Sequence, residues 1–102
     1  SSPSDKASLS SQQMSEMVLK AFIFQKRRDQ DELNGKLNDA QVAKFCTLNA
    51  EASEILQKAA TKYNLSQRGI KRTLRVARSI ADLDESEQIL KPHILEALSF
   101  RA

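Results

Sequence analysis

The sequence is poor in everything that makes tight reversals. Its 102 residues include 2 glycines, 2 prolines and no tryptophan, and aromatics make up 5%. A β-sandwich or barrel needs frequent turn residues between short strands, so those classes are excluded and long helices with short links are favoured. A single cysteine, Cys46, excludes an internal disulfide and points to a reducing compartment. Cys46 and the single histidine, His93, are too few soft ligands for a zinc site. No apolar run approaches the roughly 20 residues of a membrane span, and no signal peptide is visible. The expectation is a cytoplasmic protein with no membrane partner. The net charge of +3, from 16 Lys and Arg against 13 Asp and Glu, is too mild to name a partner by itself. Where the cations sit matters more than their sum.

The chain has the length of one domain, which buries roughly 60–70% of its unfolded surface. Residues 1–9 are polar, serine-rich and aperiodic, and read as a disordered segment or linker. From residue 10 to 102 the apolar spacing is helical. Ser10 or Ser11 can cap a first helix carrying Met14, Met17, Val18, Ala21 and Phe24, and running to about Leu33. Phe22 and Ile23 widen its apolar surface. They read first as core and second as a docking surface for a neighbouring domain. Asn38 can cap a short second helix with Val42, Phe45 and Cys46 inward, and Asn49 a third with Ala52, Ile55, Leu56, Ala59 and Tyr63. Asn64 suits the left-handed end of that helix. Ser66 caps a fourth helix from about Gln67 to Leu83. Pro92 suits a first helical position before Ile94, Leu95 and Leu98. Ile89 and Leu90 offer a brief extended contact at most. The expected fold is all-α, a small bundle of four to five helices.

The fourth helix divides sharply. Ile70, Thr73, Leu74, Val76, Ala77, Ile80 and Ala81 form an apolar face, while Arg68, Lys71, Arg72, Arg75 and Arg78 share the opposite side. A solvated basic face is the plain reading. Yet Arg68, Lys71 and Arg72 lie at or near the positive end of the helix dipole, where each cation costs about 0.3–1 kcal/mol at low salt. Gly69 adds a further local penalty, up to about 1 kcal/mol in a helix interior. A helix start flanked by arginines is a natural place for a phosphate. Asp82, Asp84, Glu85 and Glu87 then read as a solvated acidic loop, since the stretch lacks the glycine a calcium loop requires. No metal site is expected. A lone Cys46 and a lone His93, far apart in sequence, carry no visible third residue for catalysis. Cys46 reads as a small apolar residue, and His93 as a cap or interface residue.

The stretch LSQRGIKRTLRVARSIADL, residues 65–83, resembles a pattern of magnesium-chelatase-like AAA+ ATPases, LSxRxxxRxLRVARTIADL. The likeness is nearest to their YifB/ComM branch. There the pattern is followed by xxHxxEALxYR, which is similar to PHILEALSFR at residues 92–101. Leu37-Asn38 and Phe45-Cys46-Thr47-Leu48 are similar to the region upstream. The resemblance spans roughly Ser10 to Arg101. The departures are Gly69 where alanine is common, Lys91 before Pro92 where a capping residue is usual, and Phe100 for tyrosine.

The resemblance implies a lid-type helical subdomain that folds over nucleotide held by a separate αβα domain. It implies that Arg68 is the sensor-2 arginine reaching the γ-phosphate. Lys71, Arg72, Arg75 and Arg78 are then candidate phosphate or DNA contacts. It implies ATP and Mg²⁺ in the intact protein, an upstream ATPase domain and neighbouring subunits of a hexamer as partners. It also implies work on DNA of the branch-migration kind in bacterial competence. The 102 residues contain no G-x-x-x-x-G-K-[ST] and no Walker-B strand. By themselves they are expected to bind no cofactor and to lack ATPase activity and catalytic residues. Two alternatives stay open: a small DNA-binding module using the basic face of the fourth helix, and a plain protein-interaction domain.

Overall fold

A computed structural model describes residues 11–28, 30 and 33–100. The segment 1–9 lies outside the described residues, as do Asp29, Asp31 and Glu32 of the charged run after the first helix. Five α-helices form: α1 (Ser11–Arg27), α2 (Asp39–Phe45), α3 (Ala50–Lys62), α4 (Gln67–Leu83) and α5 (Lys91–Ser99), with a 3-10 turn at Asn34–Lys36. Among the described residues there is no strand, only an isolated parallel bridge between Leu48 and Ile89.

The side chains that start α2, α3 and α4 are those the sequence offered, while Ser10, a candidate cap for α1, lies outside the described residues. Asn38 accepts from the Gln41 N–H at 2.9 Å while the Gln41 side chain accepts from the Asn38 N–H at 3.0 Å, a reciprocal cap. Asn49 accepts from Ala52 at 2.8 Å, and Ser66 from Gly69 at 3.0 Å. Asn64 takes φ 52°, the left-handed conformation that stops α3. At α5 the cap is Leu90, Lys91 is the first helical residue and Pro92 the second. Leucine has no acceptor to offer the first helical N–H groups, and only the reverse half of a capping box forms: His93 Nδ1 accepts from the Leu90 N–H at 3.0 Å.

α4 is the hub. It packs against α5, α1, the 3-10 turn and α2, while α3 packs on α5. The core joins Val42, Phe45, Cys46, Ala52, Leu56, Ala59, Ala77, Ala81, Ile89, Ile94, Ala97 and Leu98. Tyr63 and Leu95, expected inward, are exposed. α1 differs most from expectation. It ends at Arg27 rather than Leu33, and of its apolar residues only Ala21 is buried. The early stop has a physical reason, because Arg28 leaves the helix to bind Asp82 of α4.

Candidate anion-binding site

The cations of α4 were expected to share one open face. The structure separates them. Arg68, Arg72 and Arg75 line a single open groove of about 400 Å³ together with Gly35, Val76 and Ser79. Arg68 and Arg72 are exposed, and neither makes a hydrogen bond or ion pair among the described residues. Arg75 is half-buried and donates to the Leu37 carbonyl at 3.3 Å, which fixes one edge of its guanidinium. Lys71 is turned aside, pairing with Asp39 at the start of α2 at 2.8 Å.

Arg78 does not belong to this face. It is 0% exposed, and its donors are spent inside the protein. Nε donates to Asp82 Oδ1 at 3.1 Å, and Nη1 to the carbonyls of Phe45 at 3.1 Å and Glu87 at 2.8 Å. Nη2 donates to the Ser86 carbonyl. Burial pushes the pKa of Arg78 down and the Asp82 carboxylate pushes it back up. Its reading as a phosphate or DNA contact is therefore corrected: Arg78 ties the loop after α4 to the core. Asp82 is corrected with it. It lies inside α4 at 0% exposure rather than in a solvated acidic loop.

Around Asp82 a buried polar network forms that the sequence reading missed. Arg28 donates to both Asp82 oxygens, at 2.7 and 2.9 Å, in the bidentate geometry that suits guanidinium and carboxylate. Asn34 donates to Oδ2 at 2.8 Å and to Ser79 Oγ at 3.1 Å. Gln30 donates to Asn34 Oδ1 at 2.7 Å and accepts from Arg28 Nε at 3.0 Å. No buried side-chain polar atom among the described residues lacks a partner. The i,i+4 spacing of Arg78 and Asp82 was the one visible signal of this cluster. Arg28, 54 positions from Asp82 in the chain, gave none.

A second cavity, about 290 Å³, adjoins the arginine groove. Tyr63, Leu65, Gly69, Thr73, Ala97 and Phe100 line it, and Arg72 and Val76 stand between the two. A Cβ on Gly69 would meet Ser66 Oγ at 3.5 Å and Leu65 at 3.8 Å, ordinary contacts, so nothing here demands glycine. The Thr73 hydroxyl is occupied by the Gly69 carbonyl at 2.9 Å. Cys46 is buried and its thiol is pushed up to about 11 by desolvation, the nearby arginines notwithstanding. No group of three or more His, Cys, Asp or Glu side chains able to hold a metal ion occurs among the described residues. Nor, among them, is any helix long and apolar enough to cross a membrane.

Residues 8–101 match the family described as "Magnesium chelatase, subunit ChlI C-terminal". The competence protein ComM of Haemophilus influenzae is 41% identical over 92 residues, which is 90% of this chain and 18% of that protein. The uncharacterized protein YifB of Salmonella typhimurium is 37% identical over 93 residues, 91% of this chain and 18% of its own length. YifB of Escherichia coli is 40% identical over 73 residues, 72% of this chain and 14% of its own. The chain thus spans less than a fifth of the length of these curated relatives.

Proposed function

The chain belongs to the family of magnesium chelatase subunit ChlI C-terminal domains, and from that premise we propose that it is the lid of a magnesium-chelatase-like AAA+ ATPase, with Arg68 reaching the γ-phosphate of ATP. The observation that carries this reading is the groove at the start of α4. Three arginines line it, and Arg68 and Arg72 keep their guanidinium groups free of any described partner. A guanidinium can grip two phosphate oxygens at once, and the first N–H groups of a helix favour an anion beside them.

The chemistry assigned to this chain is narrow. ATP is a substrate held elsewhere in the parent protein, and Mg²⁺ would be held there too. Arg68 contributes a fixed positive charge where negative charge gathers on the transferring phosphoryl. Arg75, held through Leu37, keeps the groove wall in place, and Arg72 offers a second phosphate contact. Nucleotide gripped by α4 can draw the whole bundle with it, because α4 packs on α1, α2, the 3-10 turn and α5. That motion is the domain's share of mechanical work, including the work on DNA that the resemblance implies.

The alternative, a DNA-binding module, loses support. Of five cations, Arg78 is buried and Lys71 is paired, so three arginines remain to neutralise backbone phosphates. The test is ATP turnover by the parent protein carrying Arg68→Ala, Arg72→Ala or Arg75→Ala. Loss on the order of 10²-fold or more is expected for Arg68→Ala, with smaller losses for the others. Unchanged turnover in Arg68→Ala with a collapse in Arg72→Ala would move the sensor to Arg72. Indifference to all three would end the reading.

A further inference from the structure

The outer side of α1 is an apolar face without a partner among the described residues. Met14, Val18 and Phe22 follow one another at helical spacing, with Leu19 and Ile23 beside them, and all five are 44–63% exposed. Met14, Ser15, Val18, Leu19 and Phe22 shape a shallow groove along the helix. At its C-terminal end α1 is well anchored, by buried Ala21, half-buried Phe24 and the Arg28 pair with Asp82. Its first two turns have no buried residue. Residues 11–20 are all exposed, an isolated helix shorter than about 12–15 residues is marginal in water, and packing supplies most helical stability in proteins. The N-terminal half of α1 therefore lacks the partner that its composition calls for.

We propose that this face docks on the polypeptide that precedes the domain in the parent protein, an inference that rests on the lid reading above. Two observations select that occupant. The matched part is 18% of the length of the ComM and Salmonella YifB relatives, and the family description places it at the C-terminal end. In such relatives most of the polypeptide precedes the matched part, and α1 is the first helix described in it. The size of the face also matters. Five half-exposed side chains present on the order of 500 Å². Separate chains forming a stable complex need about 800 Å² each, so a second copy of this chain is a poor occupant. Contacts between domains of one chain bury roughly 600–1,500 Å² in total, which this face can satisfy because the tether supplies the concentration.

The test is amide hydrogen exchange of residues 11–23 in the 102-residue chain and in the parent protein, each with and without Val18→Asp/Phe22→Asp. Exchange in the unsubstituted parent should be slower than in the 102-residue chain by on the order of tenfold or more, and the double substitution should abolish that difference. Circular dichroism of the substituted 102-residue chain should be unchanged, since neither side chain is in the core. Equal exchange in both lengths would overturn the proposal. So would dimerisation of the 102-residue chain that the double substitution abolishes, because a second copy would then be the occupant. The lid reading is judged separately by Arg68→Ala. A turnover defect there with unprotected α1 would sink the docking surface alone.

Discussion

The two ends of α4 carry the same residue type on the polar side of the helix and treat it in opposite ways. Arg68 and Arg72, near the start, stand in an open groove without a described partner. Arg78, near the end, is sealed in the core with every nitrogen spent. The difference lies in what crosses the helix. Arg28 and Asn34 of the 3-10 turn cover the C-terminal end with donors to Asp82, and the loop at Ser86 and Glu87 adds carbonyl acceptors for Arg78. At the N-terminal end Asp39 takes Lys71 and Gly35 borders the groove, and no described acceptor reaches Arg68 or Arg72. A charged residue on the polar side of an amphipathic helix is thus no guide to solvent, because a second polar layer can bury it. The lesson for function is a division of labour within one helix: the open end is available to an anion, and the closed end holds the bundle together.

The sharpest way to break this division is to attack the closed end. Arg78→Ala should leave three carbonyls and one edge of Asp82 without their donor, at a cost of about 3–5 kcal/mol in denaturant unfolding. A loss below about 1 kcal/mol would mean that the network is dispensable. Next in size is His93→Ala, just beyond the closed end. His93 joins the Leu90 N–H to Asp84 Oδ2, the latter at 2.8 Å from Nε2. Its removal leaves the Leu90 N–H without an acceptor and Asp84 without this partner, and should cost about 1–2 kcal/mol by thermal unfolding. An unaltered melting curve would contradict the role given to His93.

A smaller effect depends on pH. The folded Cys46 thiol is raised from 9.0 to about 11, mainly by burial. The unfolded thiol ionises first, so the contribution of Cys46 is complete below pH 9 and drains away as pH rises from 9 towards 11. Its slope is at most about 1.4 kcal/mol per pH unit. Cys46→Ala should remove that part of the alkaline slope, and parallel profiles for the two proteins would refute it. Smallest of all is Lys71→Ala. The Lys71 pair with Asp39 is largely solvent-exposed, and breaking it should change stability by no more than about 0.5 kcal/mol. A larger loss would place Lys71 with the structural residues of the closed end.

The sequence carried most of the helical frame. Caps at Asn38, Asn49 and Ser66, the left-handed Asn64 and the apolar period of α4 are local signals, and local chemistry is what a sequence exposes. Belonging to the magnesium chelatase family was also legible, through the residues of α4 and α5. What escaped was long-range and polar. The partner of Asp82 lies 54 positions away, and nothing near Arg28 announces that it leaves α1 to reach a carboxylate. Helical spacing placed Arg78 beside Arg68, but spacing is blind to what packs across a face. The apolar residues of α1 read as core because amphipathicity gives the direction of a surface and not the identity of its partner. Arg68, Arg72 and Arg75 were legible as a basic cluster, and their sharing of one groove needed the structure.

The central claim is that α4 is structural at one end and available for an anion at the other. Its most direct test is urea unfolding of Arg68→Ala and Arg78→Ala side by side, compared with the unsubstituted chain. Arg68→Ala should fall within about 0.5 kcal/mol of the unsubstituted chain or slightly above it, since its charge opposes the helix dipole. Arg78→Ala should lie about 3 kcal/mol or more below. Two variants of equal stability, or an Arg68→Ala less stable than Arg78→Ala, would contradict the division.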